Sequence, residues 1–257
     1  MQTLLKEERQ QYILDKLHHD GKIVAVDLCE ALGVSEDTIR RDLRELADAG
    51  KIQRVHGGAL PRSPVVSSFV VRQQQQPEVK AALAKAAAGL VQNGQMVLLF
   101  GGTTTLQLAR SLPYDLQATI VTNSPSVMLA LAEYPKIDVI GLGGKLLKAE
   151  LNTSGSQTIE DIQRFRFDLC ILGVCSLHPD VGISMLILEE TYVLRAAINS
   201  SADAVAIAPA DRLDTAAPYI VGPLNLLTHL VTESSVPDSM LMPYENLGIT
   251  VIKAEGE

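Results

Sequence analysis

The spacing of apolar positions changes twice along the chain. In "KEERQQYILDKLHH" (residues 6–19), Tyr12, Ile13 and Leu17 fall on one side of a helix. A short helix over residues 26–32 follows, with Gly33 placed to end it. Ser35 stands where an N-cap belongs, Glu36 and Asp37 suit a first helical turn, and Gly50 stops the next helix. Within that helix Ile39, Leu43 and Leu46 recur at i, i+4 and i+7, which predicts a buried stripe. The alternating stretch "GKIQRVHGGAL" then turns at Gly57-Gly58, the pattern of a two-stranded wing.

Periodicity lapses over residues 61–77, "PRSPVVSSFVVRQQQQP", where three prolines, three serines and a glutamine run predict a linker. The apolar "VVSSFVV" inside it predicts that part of the linker packs against a neighbour. Beyond it, helical stretches alternate with apolar strands: "QMVLLF", "ATIVT", "IDVIGLG", "DLCILGV" and "DAVAIAP", then shorter ones near "HLVT" and "TVIK". Continuous apolar strands between helices predict a mostly parallel, doubly wound sheet covered on both faces. The expected organisation is therefore a helical, winged domain over residues 1–60, a linker over 61–77 and an α/β domain over 78–257.

Composition narrows the classes. No stretch approaches the roughly 20 apolar residues that span a bilayer, and the charged start "MQTLLKEERQQY" lacks a secretory apolar region, so a cytoplasmic protein without membrane partners is expected. Cys29, Cys170 and Cys175 are too few and too widely spaced for a disulfide framework or a zinc ligand set; they are expected to be small buried hydrophobes, and neither metal nor cofactor is expected. The net charge is −8 but uneven: residues 1–62 hold 10 Lys/Arg against 11 Asp/Glu, and the remainder 12 against 19. An acidic protein meets a polyanion only through locally concentrated cations.

Helix, glycine turn and capped helix are the parts of a helix-turn-helix. Arg40, Arg41 and Arg44 lie off the buried stripe of the third helix, with Ser35 and Thr38 at its N-terminal end. Such groups meet phosphates and major-groove base edges on a recognition helix. On the wing, Arg54 and His56 can reach backbone or minor groove. Double-stranded operator DNA is the expected partner, read by a homo-oligomer, dimer or tetramer, since half-sites are normally read by symmetric pairs.

The α/β part carries turns suited to an anion after successive strands. They are Gly101-Gly102-Thr103-Thr104-Thr105, then Thr122-Asn123-Ser124, then Gly143-Gly144-Lys145, and finally a turn at residues 173–176. Backbone N–H groups and hydroxyls at helix starts cradle phosphate, and ligands of doubly wound sheets bind beyond the strands' C-terminal ends. A small anionic or phosphorylated effector is the expected second partner, with Glu189 on a following helix as a further candidate contact.

"GVSEDTIRRDLRELADAGKIQRVHGGA" resembles the N-terminal signature of the DeoR family of bacterial transcriptional repressors, over about residues 6–60. "GGTTTLQLA", "VTNSPSV", "LGGKL" and "LEETYVLRAAI" extend the resemblance almost to the end. It implies a winged helix-turn-helix followed by a ribose-phosphate-isomerase-like domain that senses a phosphorylated sugar. Several positions depart from the family pattern. Gly173-Val174-Cys175-Ser176 stands where relatives carry Gly-Ala-Asp-Gly, and Leu194-Arg195 replaces a usual lysine. The stretch Asp211-Arg212-Leu213-Asp214 lacks the usual Ser-Lys pair, and Phe100-Gly101 stands where an Asp-small pair is common. With the acid of the fourth-strand loop missing, an isomerase is disfavoured and no catalytic residue is assigned. A sensor with a changed ligand and an effector-blind regulator with a degenerate pocket both stay open.

Overall fold

The N-terminal helices stop and start at the residues that the pattern marks. A computed structural model describes residues 4–65 and 68–255. Helix α1 (Lys6–Asp20) closes at Gly21, whose left-handed φ of 71° lets its N–H reach Leu17 O. Strand β1 (Ile23–Val24) leads into α2 (Ala25–Leu32), closed by Gly33 at φ 63°. Then come α3 (Glu36–Asp48), β2 (Ile52–Val55) and β3 (Gly58–Pro61). Ile13, Leu28, Ile39, Leu43, Leu46 and Ile52 belong to one small core of ten buried residues among those described. The wing has three strands rather than the two expected, in the order β1-β3-β2. Sequence pattern misses β1 because two residues carry no period. Gly58 is what lets it pair, since a Cβ there would lie 1.8 Å from Ile23 O.

The connecting segment packs, as its apolar residues predict. Pro61 O accepts the Ala216 N–H, and Ser63 donates its N–H to Ala216 O, both at 3.0 Å. Helix α4 (Phe69–Gln73) buries Phe69 in the core beneath the main sheet. Val66 and Ser67, within the apolar stretch of that segment, lie outside the described residues. Lys22 reaches Asp180 at 3.5 Å from the first unit to the second.

The second unit runs α5 (Pro77–Ala88), β4 (Met96–Leu99), α6 (Thr103–Ser111), β5 (Ala118–Thr122), α7 (Pro125–Leu131) and β6 (Ile137–Gly141). A hairpin, β7 (Lys145–Leu147) and β8 (Asn152–Ser154), precedes α8 (Ser156–Gln163) and β9 (Phe167–Gly173). Then follow β10 (Ser176–His178), β11 (Gly182–Met185), α9 (Leu188–Asn199), β12 (Ser201–Ile207), β13 (Tyr219–Gly222), β14 (His229–Glu233), α10 (Asp238–Glu245) and β15 (Thr250–Ala254). Seven strands form one sheet, β15-β14-β12-β9-β4-β5-β6, and every described pairing in it is parallel. Its residues alternate between two cores: Leu98, Cys170 and Ala206 face one, while Val97, Leu99, Ile171 and Val205 face the other. Both faces are dry, so the strands read as unbroken apolar runs. The small antiparallel sheet β10-β11-β13 and the β7-β8 hairpin lie outside this pattern.

The sheet order fixes where a ligand fits. From β4 the chain winds through β5 to β6, then returns to lay β9 on the other side of β4 and continues outward through β12. The winding direction reverses between β4 and β9. Crevices open beyond the strand ends at such a switch point.

Candidate functional site

On α3, Ser35 Oγ accepts the Thr38 N–H at 3.3 Å and lies 3.0 Å from Thr38 Oγ1. These two hydroxyls thus hold the helix start together. Ile39, Leu43 and Leu46 face the core, which leaves Arg40, Arg41 and Arg44 exposed. Arg40 pairs with Glu36 one turn back at 2.7 Å; such an exposed i,i+4 pair contributes only ~0.3–0.5 kcal/mol and is easily exchanged. Arg41 and Arg44 make no ion pair among the described residues. Arg54 on β2 and His56 in the wing turn are exposed. Asp42 leaves this face altogether. It is buried beneath α1, where Arg9 grips it with two nitrogens, the Nη2–Oδ1 bond being 3.1 Å, and its hydrogen bond raises the Arg9 pKa.

The second site is a cleft beyond the ends of β4, β9 and β12. The first turn supplies Phe100, Gly101, Gly102, Thr103 and Thr104; the fourth supplies Gly173, Val174 and Cys175. Opposite them stand Arg72, Gln75, Gln76 and Lys80, with Glu150, Glu190 and Arg212 completing the polar wall. Three non-glycine residues among those described adopt positive φ: Gln76 (47°), Leu151 (52°) and Asp214 (53°). Gln76 lines the cleft, while Leu151 adjoins Glu150 and Asp214 lies two residues past Arg212. A non-glycine residue in this region of φ carries strain of ~1–3 kcal/mol that the surrounding packing must hold.

The second and third turns do not line this cleft. Thr122 Oγ1 donates to Leu99 O at 2.7 Å. Asn123 Oδ1 accepts the Gly101 N–H at 2.9 Å, and its Nδ2 donates to Thr153 O. Ser124 is buried. Gly143 O accepts Thr158 Oγ1 at 2.6 Å, and Gly144 packs its Cα against Ser154 O and Thr158. Lys145 is exposed at the start of β7. Strands β5 and β6 lie on the far side of β4 from β9, so the turn after β5 braces the first turn through Asn123 and the turn after β6 packs on α8 instead of facing the crevice. Thr105, fully buried, also points inward and bonds Gly102 O at 3.0 Å. Glu189 is exposed; its neighbour Glu190, about 100° further round the helix, is the one that reaches the cleft.

Electrostatically the cleft is a cluster of crowded charges. Burial, then the nearby Arg72 and Arg212, lowers the Lys80 pKa, and burial lowers that of Arg212. Arg212 Nη1 is buried with no hydrogen-bond partner among the described residues, an unsatisfied donor on the wall of the crevice. Burial, and after it the charge of Glu150, pushes the Glu190 carboxyl up to about 7, although Asn152 Nδ2 donates to it at 3.0 Å. Burial raises the Cys175 thiol to about 11 and the Cys170 thiol to about 12. Sequence reasoning passes over Arg72, Gln75 and Gln76 because they sit in an aperiodic stretch, and over Glu150 because it lies in a hairpin turn. Lys80, on an amphipathic helix, carried no mark to tell it from a surface lysine.

A capped helix with a wing, joined to a parallel α/β unit whose switch-point crevice is rich in cations, defines a DNA-binding domain coupled to a small-molecule sensor. The family model for a DeoR-like helix-turn-helix domain matches residues 9–64, and that for the DeoR C terminal sensor domain matches residues 75–234. The chain belongs to the DeoR family of transcriptional regulators. It is 31% identical over 252 residues to the HTH-type transcriptional regulator GlpR of Haloferax volcanii, covering 97% of this chain and 98% of that one. It is also 31% identical over 232 residues to the HTH-type transcriptional repressor GlcR of Bacillus subtilis, covering 90% and 89%. The glycerol-3-phosphate regulon repressor of Escherichia coli is 29% identical over 235 residues, with 91% and 93% covered. Among solved structures, full-length sorbitol operon regulator SorC of Klebsiella pneumoniae aligns with a TM-score of 0.45 at 12% identity, over 91% of this chain and 98% of that one.

Proposed function

We propose that this chain is a sequence-specific transcriptional repressor that binds an operator as a homo-oligomer and is controlled by a small phosphorylated, sugar-like anion held in the β4/β9 cleft. Two of the three relatives above are named repressors, one of them of a glycerol-3-phosphate regulon. The observation that carries the reading is the convergence of Gly102, Thr103 and Thr104 with Arg72, Lys80 and Arg212 on one crevice. Thr103 and Thr104 offer hydroxyls and helix-start N–H groups, and the cations supply charge that a phosphate satisfies. Residues 1–60 carry the operator contacts, with Ser35, Thr38, Arg40, Arg41, Arg44, Arg54 and His56 on the DNA side, and residues 78–257 carry effector and oligomer contacts. The site binds without turnover. Isomerising a sugar phosphate needs a free base at the substrate carbon; the fourth loop gives the cleft only the side chains of Val174 and Cys175, and the two carboxylates that line it are engaged, Glu150 by Arg72 and Glu190 by Asn152. Such a regulator works in the cytoplasm; no described helix is long and apolar enough to cross a membrane.

The test is a footprint on DNA flanking the protein's own gene, repeated with a panel of phosphorylated sugars, sugar acids and related anions. A protected palindrome that one class of anion releases supports the reading. The doubly substituted Thr103→Ala/Thr104→Ala protein should protect the same DNA and ignore the anion. Full release by the same anion concentration would sink the assignment of that turn.

A further inference from the structure

The cation cluster is already partly occupied, by a carboxylate of the chain itself. Arg72, on α4, grips Glu150 with two nitrogens, Nη1 lying 3.3 Å from Oε1 and Nη2 closer still to Oε2. Both side chains line the cleft and are mostly buried, at 13% and 15% exposure. A planar guanidinium accepts a phosphate in the same two-pronged way as a carboxylate. Glu150 thus holds one of the groups that an entering anion needs.

The same contact fastens the segment that leads to the DNA-binding unit. Helix α4 meets the β7–β8 turn at two points: the Phe69 N–H donates to Ala149 O at 2.7 Å, and Arg72 grips Glu150 next door. Lys80 Nζ caps the far end of α4 by donating to Arg72 O and Gln75 O. Upstream, Ser63 Oγ donates at 2.9 Å to Cys175 O, a residue of the cleft's own fourth loop. At Ser63, Arg72 and Gln75 the chain is therefore held by groups that line the crevice.

We propose that Glu150 is a built-in competitor for the effector's anion: without ligand it holds Arg72, and a bound phosphate takes Arg72 from it, releasing one of the two clamps between α4 and the β7–β8 turn. This rests on the sensing role proposed above and adds the exchange that couples it to DNA. A ligand shifts an equilibrium only through differential contacts with its two states, and the transfer of Arg72 from Glu150 to ligand is such a contact. It also sets affinity: while Glu150 competes, only an anion stronger than a lone carboxylate wins the arginine.

The experiment is calorimetric titration of the full-length protein with inorganic phosphate, with hydrogen exchange followed over residues 69–74. Glu150→Gln keeps the shape and removes the competitor. It should bind phosphate about ten-fold more tightly than wild type, within the usual span of coupling between sites. Arg72→Gln should bind at least about ten-fold more weakly on the same scale. Phosphate should speed exchange at α4 in wild type, whereas Glu150→Gln should exchange fast from the start and respond no further. Glu150→Asp, with its charge drawn back by one methylene, should fall between the two and serves if the Gln variant folds poorly. Phosphate binding that is equal in wild type and Glu150→Gln, or α4 exchange that phosphate slows, overturns the competitor. Absence of phosphate binding in every variant, wild type included, removes the sensing role as well and so separates the two failures.

Discussion

Glu190 shows how one residue reports on the cleft around it. Its carboxyl titrates at about 7 rather than the usual 4.5 because it is buried and faces the charge of Glu150. Between those values the folded protein binds more protons than the unfolded chain, so stability falls as pH rises. The contribution is full below about pH 4.5 and gone above about pH 7, a swing on the order of 3 kcal/mol. Glu190→Gln should flatten that part of the profile and be more stable than wild type at pH 8, as urea melts at successive pH values would reveal. An unchanged slope between pH 5 and 7 would mean that the carboxyl is solvated. Gly101 illustrates a constraint of another kind. A Cβ there would come within 1.7 Å of Asn152 Oδ1, and Asn152 is the residue that holds Glu190. The glycine is set by the side chain packed behind it, not by a left-handed turn. Sequence motif reading finds the glycine and cannot find Asn152, which lies some fifty residues away in a two-stranded ribbon.

At the scale of elements, α3 separates fold from recognition on one helix. Leu43 and its stripe are buried, whereas Arg41 is exposed and makes no ion pair among the described residues. Arg41→Ala should therefore weaken operator binding, reduce the slope of log affinity against log salt by about one unit, and shift stability by no more than about 0.5 kcal/mol. A mobility-shift series at several salt concentrations, beside a thermal melt, checks all three. Operator affinity equal to wild type at every salt concentration would remove Arg41 from the interface. This element was fully legible in the sequence because cap, stripe and stop are local signals. The parallel strands were legible for the same reason: continuous apolar runs between helices have few other readings. What stayed hidden was pairing between distant segments. Ile23–Val24 becomes a strand only against Ala59 and Gly58. The turns after β5 and β6 looked equivalent to the one after β4 until the sheet order set them beyond the crevice.

At the scale of the whole molecule, the stretch with the weakest sequence signal makes the connections. The core of the DNA-binding unit and the two cores of the sheet share no residue, and the segment between them makes most of the contacts through which a message can pass. Its composition reads as linker, yet Phe69 is 2% exposed within the core beneath the sheet, and Arg72, Gln75 and Gln76 form a wall of the cleft. Phe69→Ala tests whether that anchorage carries the signal. Loss of a buried phenyl ring costs about 3–5 kcal/mol where the site cannot collapse, so the melting transition of the second unit should fall. The ten buried residues described in the N-terminal core lie outside the change, and operator affinity without effector should remain within about two-fold of wild type, the spread expected of distant, independent sites. Response to anion should be lost, because α4 then keeps its contacts with Glu150 and Lys80 but is no longer fixed to the sheet that the ligand contacts. Operator release at the wild-type anion concentration, in a variant shown by its melt to be destabilised, would mean that the message travels by another route, such as the pairing of residues 61–63 with Ala216, the Ser63–Cys175 hydrogen bond or the Lys22–Asp180 contact.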